Sequence, residues 1–209
     1  MQHELMVNFA VIAEQHRKED KSLPDLPSLV ARAKMGDTDA FEAILIRYQR
    51  QVLRTAIRIL GNIDDARDAA QEVFLRLHKY LHNFKEEQEF LPWLYRMTVN
   101  VCRDIARKRR STITLSLEQQ QESGALDHLS SSHNIEGDIG IAQERKIIAE
   151  AMATLSEKER AAIVLRDLEG LDTKEVARLL GSTQTTVRSQ ISMARLKIKK
   201  YRDKILGRG

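Results

Sequence analysis

Between Trp93 and Arg110, cations, an amide and an indole recur at helical spacing. On a helix turning about 100° per residue, Trp93, Arg96, Asn100, Arg103, Arg107 and Arg110 share one side, within roughly a quarter of the circumference. Leu94, Met97, Val101 and Ile105 fall on the other side, where a core can take them. Guanidinium groups pair with phosphates, an asparagine amide reads base edges or the sugar-phosphate backbone, and an indole stacks on an unpaired base. Such an inventory suits nucleic acid. Taken alone, the same pattern equally describes a solvated basic helix face, and the run Arg107, Lys108, Arg109, Arg110 equally describes a charged helix end complementing the dipole. Cys102 lies at the edge of the apolar side and reads as packing.

A second set of polar side chains lies near the C-terminus. Ser156 and Glu159 have capping-box spacing, and the helix they start ends near Gly170; Asp172 to Glu175 then begin a short helix, Val176 to Leu180, closed by Gly181. Thr183 then caps a longer helix whose apolar positions are Val187, Ile191, Ala194, Ile198, Tyr201 and Ile205. A short helix, a glycine turn and a longer helix with a polar start make a helix-turn-helix. In that geometry the start of the second helix meets base edges in the major groove. The residues so placed are Gln184, Thr185, Thr186, Arg188, Ser189 and Gln190, with Arg195 further along for phosphates. An ordinary helical hairpin within a bundle is the plain alternative.

No enzyme class competes. The chain has no phosphate-cradling glycine loop, no His/Cys set at metal spacing and no nucleophile beside a base, so no catalytic residue, metal or cofactor is expected. The single cysteine excludes an internal disulfide, and the chain is expected in the cytoplasm. No apolar run reaches the ~20 residues that span a bilayer, so membrane insertion is not expected. The apolar stretch from Leu5 to Ala13 lacks a basic flank before it and a cleavage site after it. A net charge of +4 on 209 residues fits an anionic partner, though the distribution of charge says more than its sum.

The elements that must carry these residues are helices. Hydrophobic residues make up 42% of the chain, aromatics only 5%, with 9 Gly and 3 Pro, a balance that favours helix over sheet. Residues 1–27 form an N-terminal extension ending in two prolines. Residues 28–110 hold a helical domain: Phe41, Ile44, Leu45, Tyr48, Val52, Ala56 and Ile59 make one buried stripe, and Ala66, Ala70, Val73, Leu77, Leu81 and Phe84 the next. Residues 111–140 contain five acidic residues, no Lys or Arg, and much Ser and Gln, so they are expected to be a flexible acidic linker. Residues 141–209 hold the helix-turn-helix domain. The expected fold is all-α: two small helical domains joined by that linker.

These segments, in this order, resemble the extracytoplasmic-function sigma factors, a subfamily of the sigma-70 factors of bacterial RNA polymerase. Gly36–Phe41 (GDTDAF) resembles the family's opening helix, Asp64–Leu77 (DDARDAAQEVFLRL) its most recognisable stretch, and Trp93–Asn100 (WLYRMTVN) with the following Arg/Lys cluster its promoter-melting helix. Leu155–Arg160 (LSEKER), Leu168–Gly170 (LEG), Glu175–Ala177 (EVA) and Thr186–Ser189 (TVRS) resemble its second domain. The likeness covers about residues 28–110 and 141–204.

The resemblance implies roles. Asp65, Asp68, Gln71, Glu72 and Leu75 would dock on the clamp helices of the largest subunit of core RNA polymerase. Trp93, Arg96, Asn100, Arg103, Arg107, Lys108 and Arg110, with the loop from Lys85 to Leu91, would hold the separated minus-ten strand. Gln184, Thr185, Thr186, Arg188, Ser189, Gln190 and Arg195 would bind the minus-thirty-five duplex. An anti-sigma partner is implied as well. Promoter elements about 25 base pairs apart lie roughly 80 Å apart, while a relaxed linker of this length spans about 30 Å and an extended one near 100 Å, so the linker must be drawn out to bridge them. In the recognition helix the family usually has Gly where this chain has Thr185, and Arg where it has Gln190 and Met193, which points to an unusual minus-thirty-five preference. The alternative is a stand-alone helix-turn-helix regulator with an N-terminal sensor, a dimer on palindromic duplex. That reading leaves the docking helix and the Trp-Arg-Asn face without a purpose.

Overall fold

The computed structural model describes residues 25–85, 87–119 and 139–207, and among these every regular element is helical. Helix α1 spans Leu26–Lys34, with Asp25 as its N-cap and Pro27 inside the first turn. The helix thus starts slightly earlier than expected, because proline blocks a helix interior but suits its first turn, where no N–H partner is needed. Helix α2 (Thr38–Leu60) is capped by Asp37, whose carboxylate accepts from the Ala40 N–H at 3.0 Å. Gly61, at φ 72°, closes it in the left-handed conformation that glycine adopts without strain. Asn62 caps α3 (Ile63–Tyr80) by accepting from the amides of Asp64 and Asp65.

A single 3-10 turn, Leu81–Asn83, leads to α4 (Phe90–Gln119). Its backbone stays helical beyond Arg110, into the stretch expected as linker. The middle of that stretch, residues 120–138, lies outside the described residues, as does the extension up to residue 24.

The second half comprises α5 (Ile139–Ala153), α6 (Glu157–Ile163), a π turn (Val164–Leu168), α7 (Thr173–Leu180) and α8 (Gln184–Ile205). Reciprocal capping boxes start two of these: Ser156 with Glu159 at α6, and Asp172 with Glu175 at α7. Gly181 ends α7 at φ 60°, and Thr183 caps α8 by accepting from the Thr186 amide at 3.1 Å. Where one long helix was expected from Ser156 to Gly170, the chain makes α6 and then the π turn. There the Glu169 N–H reaches back to the Val164 carbonyl at 3.0 Å, and the turn delivers the Glu169 side chain toward α2 and α4.

Most of the stripes read from the sequence are buried, with Phe41, Leu45 and Ala70 half-buried and Ala69 taking the fully buried place beside Ala70. Ile44, Val52 and Ala56 of α2, Ala66, Val73 and Leu77 of α3, and Leu94 and Val101 of α4 are at most 2% exposed. Val164, Leu165, Val176 and Val187 are fully buried in the second half. All of them belong to one continuous apolar cluster that crosses between the halves. A smaller one, Ala151, Leu155, Ile163, Ala194 and Ile198, holds α5 against α8. The two small helical domains thus meet along a shared apolar seam.

Candidate nucleic-acid interface

Helix α4 is two-sided as its spacing implies, although Trp93 and Arg103 of the polar side and Met97 and Ile105 of the apolar side are half-buried. Leu94, Val99, Val101 and Cys102 are buried, while Arg96, Asn100, Arg107 and Lys108 are exposed. Burial pushes the Cys102 thiol up to about 12, which makes it inert packing. Trp93 is half-buried in an aromatic cluster, its ring 5.0 Å from Phe84 and 6.0 Å from Phe90, so the indole is held by Phe84 ahead of α4 and Phe90 at its start. Arg107 pairs with Asp104 at 3.0 Å and stays largely exposed. Arg103 is different: its guanidinium donates to the Leu180 carbonyl at 3.4 Å, at the C-terminal end of α7. The Arg110 side chain is outside the described residues.

On α3, Asp68, Gln71 and Leu75 stand clear on one face, Leu75 being 60% exposed. Their two acidic companions are engaged. Glu72 accepts from Arg76 at 2.6 Å, and Asp65 accepts from Arg109 of α4 at 3.0 Å. Arg76 also reaches Asp104, and these carboxylates hold its pKa above the usual guanidinium value, Glu72 most strongly. The acidic face is therefore laced to α4 at two points.

At the start of α8, Gln184, Thr185, Thr186, Arg188 and Ser189 are exposed together in one patch. Two expected members are set apart from it. The Gln190 amide oxygen is buried with no hydrogen-bond partner, and Arg195 is clamped by Asp167 through bonds of 2.9 and 2.7 Å.

Sequence reasoning missed the polar seam between the halves. The Glu169 carboxylate, 6% exposed, accepts from the Thr55 hydroxyl at 2.7 Å, from Arg58 at 3.1 Å, and from the Tyr95 hydroxyl. Gln51 donates to the Tyr95 oxygen, which fixes the phenolic hydrogen toward Glu169. Burial first, then the adjacent Glu169 charge, raises the Tyr95 hydroxyl far above its ordinary value, so it remains a donor. Burial and the neighbouring Arg58 lower the Arg54 pKa beside it. Arg160 makes a second bracket, donating to the carbonyls of Ile59, Ala153 and Leu155 at 3.1, 3.1 and 3.0 Å. No local pattern marks these residues, since Thr55 and Glu169 stand 114 positions apart.

Among the described residues there is no cluster of metal-ligating side chains, and no helix is long and apolar enough to cross a membrane.

Comparison with known proteins matches the sequence to two family models: Sigma-70 region 2 over residues 44–112, and Sigma-70, region 4, over residues 145–198. The ECF RNA polymerase sigma-E factor of Escherichia coli is 33% identical over 174 residues, covering 80% of this chain and 88% of its own. The RNA polymerase sigma-H factor of Pseudomonas aeruginosa is 31% identical over 175 residues, covering 82% and 91%. The fold is similar to that of the sigma factor RpoE in complex with the anti-sigma factor NepR from Bartonella quintana, with a TM-score of 0.62 at 22% identity over 77% of this chain and 95% of that one. It is also similar to CnrH in complex with the cytosolic domain of CnrY, with a TM-score of 0.58 at 24% identity over 84% and 95%. With both regions present in order on an all-helical frame, the chain belongs to the extracytoplasmic-function sigma factors of the sigma-70 family.

Proposed function

We propose that this sigma factor divides its work among three faces. The α3 face, with Asp65, Asp68, Gln71, Glu72 and Leu75, docks on the clamp helices of core RNA polymerase. An exposed leucine beside acids and an amide gives an apolar centre with a polar rim, the layout of a protein interface. The α4 face, with Trp93, Arg96, Asn100, Arg103, Arg107, Lys108 and Arg110, holds the single-stranded minus-ten element. The start of α8, from Gln184 to Ser189, reads the minus-thirty-five duplex, and Arg195 joins it on a phosphate after leaving Asp167. An anti-sigma protein, of the kind bound to the two structural relatives, is the expected inhibitor.

The observation that carries this proposal is the two-sidedness of α4. One side is buried in the core, so the helix is rigid, and the other presents Arg96 and Asn100 to solvent. A rigid helix holds an extended strand at lower entropic cost than a loop does. The test is run-off transcription with purified core polymerase and the double variant Asn100→Ala, Arg103→Ala. Open-complex formation is expected to fall while core binding, measured by co-sedimentation, is kept. Loss of core binding in that variant would place the polymerase contact on α4 and overturn the assignment.

A further inference from the structure

We infer that Thr55, Arg58 and Tyr95 form a phosphate site on the N-terminal helices, which Glu169 fills in the closed chain and a backbone phosphate of single-stranded DNA fills when the halves part. This rests on α4 being the DNA face. It adds a binding site beside that face and a reason why closure and DNA binding exclude one another.

The donors all come from α2 and α4, and the acceptor comes from the other half of the molecule. A carboxylate only accepts, so the Thr55 hydroxyl must donate to it. Gln51 aims the Tyr95 hydrogen the same way. Two aimed hydroxyls and a guanidinium converging on an anion are the usual company of a phosphate. The charge behind them agrees. Arg50, Arg54 and Arg58 follow one another along α2 at four-residue spacing, on one side of the helix. Arg50 and Arg58 each act on Arg54 as like charges, and Glu169 is the anion set against them.

Glu169 does not serve its own half through this side chain, because each bond its carboxylate makes among the described residues goes to α2 or α4. The site also adjoins the proposed DNA path. Tyr95 precedes the exposed Arg96 on α4, and two turns further on Arg103 is tied to the Leu180 carbonyl across the same seam. Parting the halves frees both at once. Closure therefore withholds Arg103 and the phosphate site together, and a strand that takes them holds the chain open.

The experiment uses the full chain with Glu169→Ala, checked for parental helicity by circular dichroism, and Glu169→Gln in its place if helicity is lost. Small-angle scattering reads opening, and anisotropy of a labelled single-stranded DNA of mixed sequence reads binding. The expected result is a larger radius of gyration and about tenfold tighter binding, since the variant removes a charge-assisted bond and two hydroxyl bonds that hold the non-binding state. Adding Arg58→Ala to Glu169→Ala should then weaken binding several-fold and flatten the salt dependence by about 0.7 in log-log slope, the value of one phosphate on a single strand. Arg58→Lys should restore that slope.

If Arg58→Ala leaves affinity and slope unchanged while Asn100→Ala in the same background abolishes binding, the phosphate site falls and the α4 assignment stands. Indifference to both variants sinks the α4 assignment as well. A parental radius and affinity for Glu169→Ala would overturn the inference, and so would opening of the parent chain by inorganic phosphate alone at constant ionic strength, which would make a free anion the occupant.

Discussion

Replacing Arg160 by alanine tests how firmly the two halves are joined. Its guanidinium donates to three carbonyls at 3.0–3.1 Å, one of them Ile59 near the C-terminus of α2 and two at the corner between α5 and α6. Carbonyls at a helix end lack intrahelical partners, so Arg160 supplies a cap from the other half of the molecule. A hydrogen bond to a charged donor contributes about 1.5–3 kcal/mol, which would give well over 4 kcal/mol for three. Two effects reduce that sum. Burial already lowers the Arg160 pKa, a cost that disappears with the side chain, and its Nε is buried without a partner. The net loss is then about 2–3 kcal/mol, as for breaking a buried polar network. With a urea m-value of about 2 kcal/mol/M, the unfolding midpoint should fall by about 1 M. Amide exchange should quicken in the last turn of α2, and Arg160→Lys should recover part of the loss. A midpoint within about 0.2 M of the parent, with unchanged exchange at that turn, would refute the reasoning, since it would mean that water replaces the guanidinium at no cost.

Leu75→Arg should weaken binding to core polymerase by about tenfold or more in a titration with labelled chain, while leaving the melting temperature within a degree or so, because the side chain is 60% exposed and supports no core. Cys102 should resist a thiol reagent at pH 8 in the native chain and react fully in denaturant, because burial raises its pKa to about 12; fast native reaction would show that the seam around α4 opens freely. For Glu159, burial acts to raise the pKa, but Lys197 at 2.8 Å and the Ser156 amide outweigh it and hold the carboxyl below its usual 4.5. A depressed folded-state value gives stability that is present above 4.5 and lost as pH falls through the lower folded value. Unfolding midpoints followed below pH 4.5 should therefore drop less steeply for Glu159→Gln than for the parent, and parallel curves would contradict that sign.

Local rules made much of this molecule legible. Helical stripes depend on residues three and four apart, and caps depend on residues within one turn, so the Ser156–Glu159 box, the Gly181 stop and the Thr183 cap were readable from their neighbours alone. The two faces of α4 and the exposed start of α8 were readable for the same reason. The π turn was not, because the sequence periodicity through Leu168 still looks α-helical while the backbone slips by one residue.

What only the tertiary structure decided is which charged groups are free. Arg195 carries the sequence signature of a free cation, yet Asp167, 28 positions earlier, holds its guanidinium here. Arg103 and Arg109 sit less than two turns apart on one helix, yet one bonds a carbonyl of α7 and the other an acid of α3. Glu169 looked like part of a motif and sits at the centre of the seam. Such pairings depend on where distant turns of chain meet, and a carboxylate or guanidinium has the same local sequence signature whether it is solvated or buried against a partner. The sequence by itself determined the helices, their caps and the family; packing determined that the two halves close on one another, and through which residues.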